Sequence, residues 1–345
     1  MTDSSVLIVG AGAVGLVTGY HLSLGGTAVT FYVRPGRRET FGDTQRLYCY
    51  DDGQIKDYRG YGLISTPAEV SQRGFDFVLL TLDAATCRSD EGAGLLRTLG
   101  DALRDTRAVM IFCGVGIGLR KYLAEATGLP TQRLLEGTLG NASHQSNARL
   151  PVHVPTDPAH LAQTSIAYRH FQKQVGFMLV PEPRDAARSF AALYDRCGIS
   201  RCALVNAGVY RSYTNAFFCY TMTLELVGWP DTDGLKKRRL ELHLCVAAMR
   251  DVLGLLQFGI TGKLLRPLIG HRLLLKAVGK IERDVLPLDF AAFNRFHHGG
   301  KVLAQDVEVL RTCLREGERQ GRAMKHLREL LRQFDQFRAG SSLQR

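Results

Sequence analysis

Six residues near the N-terminus, Gly10-Ala11-Gly12-Ala13-Val14-Gly15, carry the spacing G-x-G-x-x-G. Each glycine has a physical task. The first permits a tight turn, the second lets backbone approach a pyrophosphate, and the third lets a helix pack closely on a strand. Phosphates then meet unpaired N–H groups at the positive end of the helix. A second cluster follows in Tyr32-Val33-Arg34-Pro35-Gly36-Arg37-Arg38. An NAD site places Asp or Glu there to accept from the ribose 2′-OH. Arg34 is instead a guanidinium fork suited to a 2′-phosphate through charge-assisted bonds, so the cofactor read from these residues is NADPH/NADP. A third cluster lies late in the chain. Phe296-His297-His298-Gly299-Gly300-Lys301, followed by Gln305-Asp306, sets two imidazoles, an ammonium and a carboxylate on a glycine-hinged turn. Hydride delivery to a carbonyl leaves an alkoxide that needs a proton. His298 and Lys301 are the tunable donors in that run.

These groups need elements to hold them. Ser5 to Val9 reads as a strand, Ala13 to Leu24 as a helix stopped by Gly25-Gly26, and Ala28 to Val33 as a second strand. Strand, glycine-rich turn, helix and strand make a βαβ unit with a parallel sheet. Leu47 to Ile64 alternates around Asp51-Asp52-Gly53, a hairpin turn. Phe75 to Leu82, Ala108 to Cys113, Leu134 to Val154 and Thr164 to Val180 read as further strands, with Leu95 to Leu103 helical. Pro181-Glu182-Pro183 is the boundary signal. Beyond it Asp185 to Cys197, Val205 to Val227, Leu235 to Leu256 and Gln305 to Gln333 are all helix-like. The expected fold is α/β, a Rossmann-type dinucleotide-binding domain over 1–183 followed by an all-α substrate or dimerisation domain over 184–345.

Composition narrows the partners. The chain has 345 residues and a formal net charge of +11. Between Gly234 and Arg345 there are 22 Lys/Arg against 11 Asp/Glu, so the surplus sits in the last third. Those basic residues are spread along helix-like segments without zinc spacing or an aromatic RNA-binding signature. They read as a solvated helical surface or as attraction for an anionic cofactor and substrate, not as a nucleic-acid site. The eight cysteines are scattered without a C-x-x-C pair, as reduced thiols of a cytoplasmic enzyme would be. No metal-ligand spacing is present. The first residues show no signal peptide, and no run of about 18 apolar residues suggests a transmembrane helix. Leu264 to Ile281 is basic and leucine-rich. It fits either a membrane-surface helix or a core helix with snorkelling cations, and the core reading is preferred, with no membrane partner.

On Val6 to Gly15 (VLIVGAGAVG), Val29 to Arg37 (VTFYVRPGR), Asp76 to Leu82 (DFVLLTL) and Met110 to Gly118, the chain resembles the ketopantoate reductase (2-dehydropantoate 2-reductase) family. That resemblance implies NADPH, reduction of a 2-keto acid, a cleft between two domains and a possible homodimer. It adds Leu82, Asp83, Cys113 and Gly114 to the cofactor contacts. It also carries departures. Asp83 stands where the family has a lysine, and Cys113-Gly114 where it has Asn-Gly. The catalytic lysine of a K-x-x-x-N helix falls on Arg211, with Asn215 retained as the first asparagine and the second falling on Cys219. The late glutamate falls on Gln305, beside Asp306. Arg211 can stabilise a developing alkoxide or clamp a substrate carboxylate bidentately, but it is a poor proton donor.

The functional expectation is an NADPH-dependent oxidoreductase reducing a small carbonyl or imine compound, with Arg211, Asn215, His298 and Lys301 as the chemical set. True 2-dehydropantoate 2-reductase and a non-catalytic NADPH-binding sensor or scaffold are the rivals.

Overall fold

A computed structural model describes residues 4–171 and 174–342. The chain divides into two compact units, one of residues 1–114 and 118–206, the other of residues 115–117 and 207–345.

Among the described residues, twelve strands build the first unit. They are β1 (Ser5–Val9), β2 (Ala28–Tyr32), β3 (Thr44–Cys49), β4 (Gln54–Arg59), β5 (Gly62–Ile64), β6 (Phe77–Leu80), β7 (Val109–Phe112), β8 (Leu134–Leu139), β9 (Asn141–Gln145), β10 (Ile166–His170), β11 (Val175–Leu179) and β12 (Arg201–Leu204). An eight-stranded sheet runs β12-β11-β8-β7-β6-β1-β2-β5. Its pairings are parallel except β8 with β11. Both faces are covered. In β1, Val6 and Ile8 enter one apolar cluster while Leu7 and Val9 enter the other. That is why this strand reads as a continuous apolar run rather than an alternating one.

The strand order reverses at β1. The chain leaves it toward β2 on one side, and β6 later pairs on the other. Open α/β sheets bind ligands at such a switch point, beyond the carboxyl ends of the strands. A smaller sheet, β4-β3-β10-β9, lies beside the first in sequence terms only through pairings of distant segments, β3 running parallel to β10.

The division between units falls after Asn206, not after Pro183. The helix Arg184–Asp195 turns Ala187, Phe190 and Tyr194 into the apolar cluster of the main sheet. The four-residue strand β12 then pairs with β11. The expectation of helices alone beyond Pro183 is therefore corrected, because a strand this short shows no alternation to read.

A buried polar chain braces the same region. Asp51 accepts from His170 Nδ1 at 2.7 Å, and Nε2 of that ring meets Ser200 Oγ at 3.1 Å. Ser200 Oγ lies 3.3 Å from the Tyr194 hydroxyl, which reaches His21 Nδ1 at 2.6 Å. Burial and the neighbouring His170 hold His21 down to about 3, so it stays neutral. The hydrogen bonds join two helices, the smaller sheet, the residue before β12 and a hairpin turn, satisfying groups that would otherwise be costly to bury.

The second unit is helical. Ala207–Val227 is its centre, buried over most of its circumference, with Arg239–Leu253, Leu303–Arg319 and Lys325–Ser342 packed against it. The expected helix over Leu235 to Leu256 forms as Thr232–Lys237 and Arg239–Leu253, and that over Gln305 to Gln333 as Leu303–Arg319 and Lys325–Ser342. Leu264 to Ile281 is not one core helix. It divides between Gly259–Leu268 and His271–Asp284, and Leu264, Leu268 and Leu273 face solvent. No single helix among the described residues is long and apolar enough to cross a membrane.

Candidate functional site

The glycine-rich turn sits between β1 and the helix Ala13–Leu24, at the switch point. Gly10 has φ +104°, a left-handed conformation, and a Cβ there would lie 2.5 Å from Thr81 Oγ1. A Cβ on Gly15 would lie 2.1 Å from the Gly10 carbonyl oxygen, so only glycine lets the helix come this close. Gly12 differs from both: a Cβ there would meet nothing within 4 Å. It is the N-cap of the helix and offers no side-chain hydrogen bond to the first turn. The amides of Ala13, Val14 and Gly15 thus open onto an unobstructed approach, the arrangement an anionic diphosphate needs. Ala11 completes the turn and is buried.

Thr81, which sequence reasoning passed over, ties the turn to the next strand. Its hydroxyl lies 2.9 Å from the Val9 carbonyl and 3.1 Å from that of Gly10. The signal was a threonine in the otherwise apolar run ending β6. Leu82 follows and lies beside Gly10. Asp83 caps the helix Ala84–Arg88. Its Oδ1 accepts from the Ala85 and Thr86 amides at 2.9 Å, and its Oδ2 accepts from the Thr86 hydroxyl at 2.6 Å. Its carboxylate is therefore committed to the cap.

Cys113 and Gly114 follow β7, one strand further along. The Cys113 amide donates to the Leu80 carbonyl at 3.0 Å. Burial pushes the Cys113 thiol up to about 12, so it is no nucleophile. A Cβ on Gly114 would crowd Leu119 and the Ala84 amide at 3.0 and 3.2 Å. The sequence-derived set of Gly10, Ala11, Gly12, Ala13, Val14, Gly15, Leu82, Asp83, Cys113 and Gly114 is thus gathered at the carboxyl edge of β1, β6 and β7.

Arg34 follows β2 on the same edge of the sheet. Its side chain is 79% exposed and meets Glu91, equally exposed, at 3.3 Å. Such a surface pair is weak and readily exchanged. Arg37 and Arg38 are occupied otherwise, the first over the Phe41 ring and the second on Glu69 at 2.9 Å.

The second unit gathers a different group. His297–Lys301 forms a π-helical turn, closed by the Val302 amide donating to the His297 carbonyl, a geometry that recurs at functional sites. His298 Nδ1 lies 2.7 Å from Asp306 Oδ2. The Asp306 side chain is 2% exposed and that of His298 15%. Thr221 reaches the same carboxylate oxygen at 3.5 Å. Burial raises the Asp306 carboxyl, with His298 opposing the shift. The Phe217 and Phe218 rings stand edge-on to the imidazole at 5.7 and 6.1 Å. The Asp306 contact and the two rings together set the orientation of the His298 imidazole. His297 is stacked on Phe293, and burial keeps it neutral. Lys301 is exposed on the same turn.

Arg211 and Asn215 lie on the central helix. Asn215 is 4% exposed; its Nδ2 donates to the Arg211 carbonyl at 2.8 Å, and Cys313 approaches its Oδ1 at 4.0 Å. Both ends of that amide meet partners within the helical unit. Arg211 is half-buried and shares a helix face with Phe218, about 10 Å further along at 1.5 Å per residue. Gln305, where the resemblance placed a glutamate, is buried, and the acid in contact with an imidazole is its neighbour Asp306.

Residues 6–153 match the family model described as ketopantoate reductase PanE/ApbA. Over those residues the chain is similar to that family. No curated protein sequence matches it significantly. Among solved structures, 2-dehydropantoate 2-reductase from Methylococcus capsulatus superposes with a TM-score of 0.67 at 19% identity, covering 98% of both chains. The Geobacter metallireducens GS-15 enzyme of the same name gives 0.62 at 19% identity, covering 96% of this chain and 99% of its own. D-mandelate dehydrogenase in complex with NADH gives 0.64 at 11% identity, covering 97% and 99%. The ketopantoate-reductase-like fold, α/β followed by α, therefore spans the whole length, while the family match itself is confined to the N-terminal part.

Proposed function

We propose that this chain is an NADPH-dependent reductase of a small carbonyl or imine compound other than ketopantoate. The observation that carries the reading is the open face at Gly12 between two glycines that cannot be replaced. NADPH bound there would supply the hydride. The Ala13, Val14 and Gly15 amides would hold its diphosphate, and Arg34 would hold the 2′-phosphate in place of Glu91.

His298 donates the proton to the nascent alkoxide or amide from Nε2, while Asp306 orients the ring and stabilises its charged form. Arg211 binds a carboxylate or the developing oxyanion. A substrate other than ketopantoate is favoured because Arg211 and Cys219 replace the lysine and second asparagine that the resemblance implies, and because Asn215 is turned into the helix packing. Lys301 remains a secondary donor on the same turn.

The experiment is NADPH oxidation by purified protein against 2-keto acids (ketopantoate included), aldehydes and cyclic imines. Turnover of a non-ketopantoate compound supports the reading. Efficient ketopantoate reduction would instead restore the family's own reaction, and silence across the panel would favour a sensor. Cofactor choice is tested separately. Arg34→Glu is expected to weaken NADPH binding by roughly ten- to a hundredfold, from charge-assisted bonds of about 1.5–3 kcal/mol, and to leave NADH binding little changed. Equal losses for both nucleotides would remove Arg34 from the 2′-phosphate.

A further inference from the structure

Leu256, Ile260, Leu264 and Leu268 recur every four residues, and all four are exposed, by 63%, 76%, 64% and 64%. Three of them lie on the helix Gly259–Leu268, whose inner side is marked by buried Gly262. On that helix Ile260, Leu264 and Leu268 form one stripe along a single face, and Leu256 lies on the turn just before it. Lys263 is exposed on the flank of that stripe, Arg266 is exposed further round the same helix, and Pro267 is exposed beside Ile260. The following helix, His271–Asp284, exposes Arg272, Leu273 and Lys276. From Val252 to Ile281 the sequence holds five Lys/Arg and no carboxylate.

Solvent-facing leucines in this number are unusual for a surface that stays in water. Their surroundings select the partner. A second copy docked by two-fold symmetry would set this carboxylate-free basic surface against itself. A nucleic acid would be offered leucines at the centre of the contact, where phosphate donors are needed. An anionic bilayer satisfies both parts, because acyl chains take up the leucines while lysine and arginine reach the headgroups.

We infer that the helix Gly259–Leu268, with the start of the next helix, docks this protein on the surface of a membrane containing anionic lipid. Ten residues cover about 15 Å, too short to span a bilayer, so the helix lies in the interface. The leucines expected in the core are instead the inserted face.

The test is co-sedimentation of the purified full chain with sucrose-loaded vesicles. Protein is expected to pellet with phosphatidylcholine–phosphatidylglycerol vesicles, to stay in solution with phosphatidylcholine alone, and to be released by salt. Leu264→Asp with Leu268→Asp, and separately Lys263→Glu with Arg266→Glu, should each lower the bound fraction at least about tenfold while melting as the parent does. The charge-reversal pair carries the test should the first pair fail to fold. Absence of pelleting with anionic vesicles, or variants that pellet like the parent, would overturn the inference. So would an ultracentrifuge result in which the aspartate pair turns a dimer into monomers while neither protein binds vesicles, since the face would then belong to a second copy.

Discussion

Gly12→Val is expected to melt close to the parent and to lose NADPH affinity more than about a hundredfold. The added atoms enter space where nothing stands within 4 Å, and the glycine's extended backbone (φ −88°, ψ −168°) is open to valine. The cost in folding is confined to a poorer N-cap, about 1 kcal/mol. The loss in binding is larger because the isopropyl group occupies the place of the diphosphate. Two charge-assisted amide bonds of about 1.5–3 kcal/mol each would be displaced. Gly15→Ala should behave in the opposite sense. Its methyl would lie 2.1 Å from the Gly10 carbonyl, forcing helix and strand apart at a cost of about 3 kcal/mol. Thermal melting and calorimetry on the two variants separate a ligand cradle from a packing requirement. A Gly12→Val protein that bound NADPH normally would show that the diphosphate lies elsewhere.

His298→Ala is expected to reduce turnover by roughly a hundredfold or more, the usual contribution of a positioned acid, without changing NADPH affinity. Asp306→Asn acts through the ring. It removes the negative charge that stabilises imidazolium and loosens the tautomer fixed by the 2.7 Å bond. Turnover should fall about ten- to a hundredfold, the worth of a hydrogen bond to a charged group. A merely structural Asp306 would lower stability and leave the turnover of the folded protein where it was. Normal turnover in His298→Ala would transfer the proton-donor role to another group, Lys301 being adjacent.

Much of the first unit was legible because its signals are local. An apolar strand, three glycines at fixed offsets and a second strand specify a βαβ turn with little help from the rest of the chain. The pairing of β3 with β10 could not be read, since more than a hundred residues separate strands whose partners are set by tertiary packing. The same holds for the Asp51–His170–Ser200–Tyr194–His21 chain, whose members lie on five separate segments. β12 escaped notice because four residues carry no periodicity.

In the second unit the histidine turn and Asp306 were visible as a cluster of titratable types. Their pairing depends on the π-helical turn that brings residues 298 and 306 together. The contacts of the Asn215 amide could not be read, because a residue type at a motif position says nothing about which way its amide points. Leu264 to Ile281 was legible as basic and leucine-rich, but composition cannot tell the wet side of a helix from the dry one.

The account rests most directly on calorimetric titration of the purified protein with NADPH. It predicts saturable binding of one nucleotide per chain, tighter for NADPH than for NADH. Failure of both nucleotides to bind at any accessible concentration would contradict it.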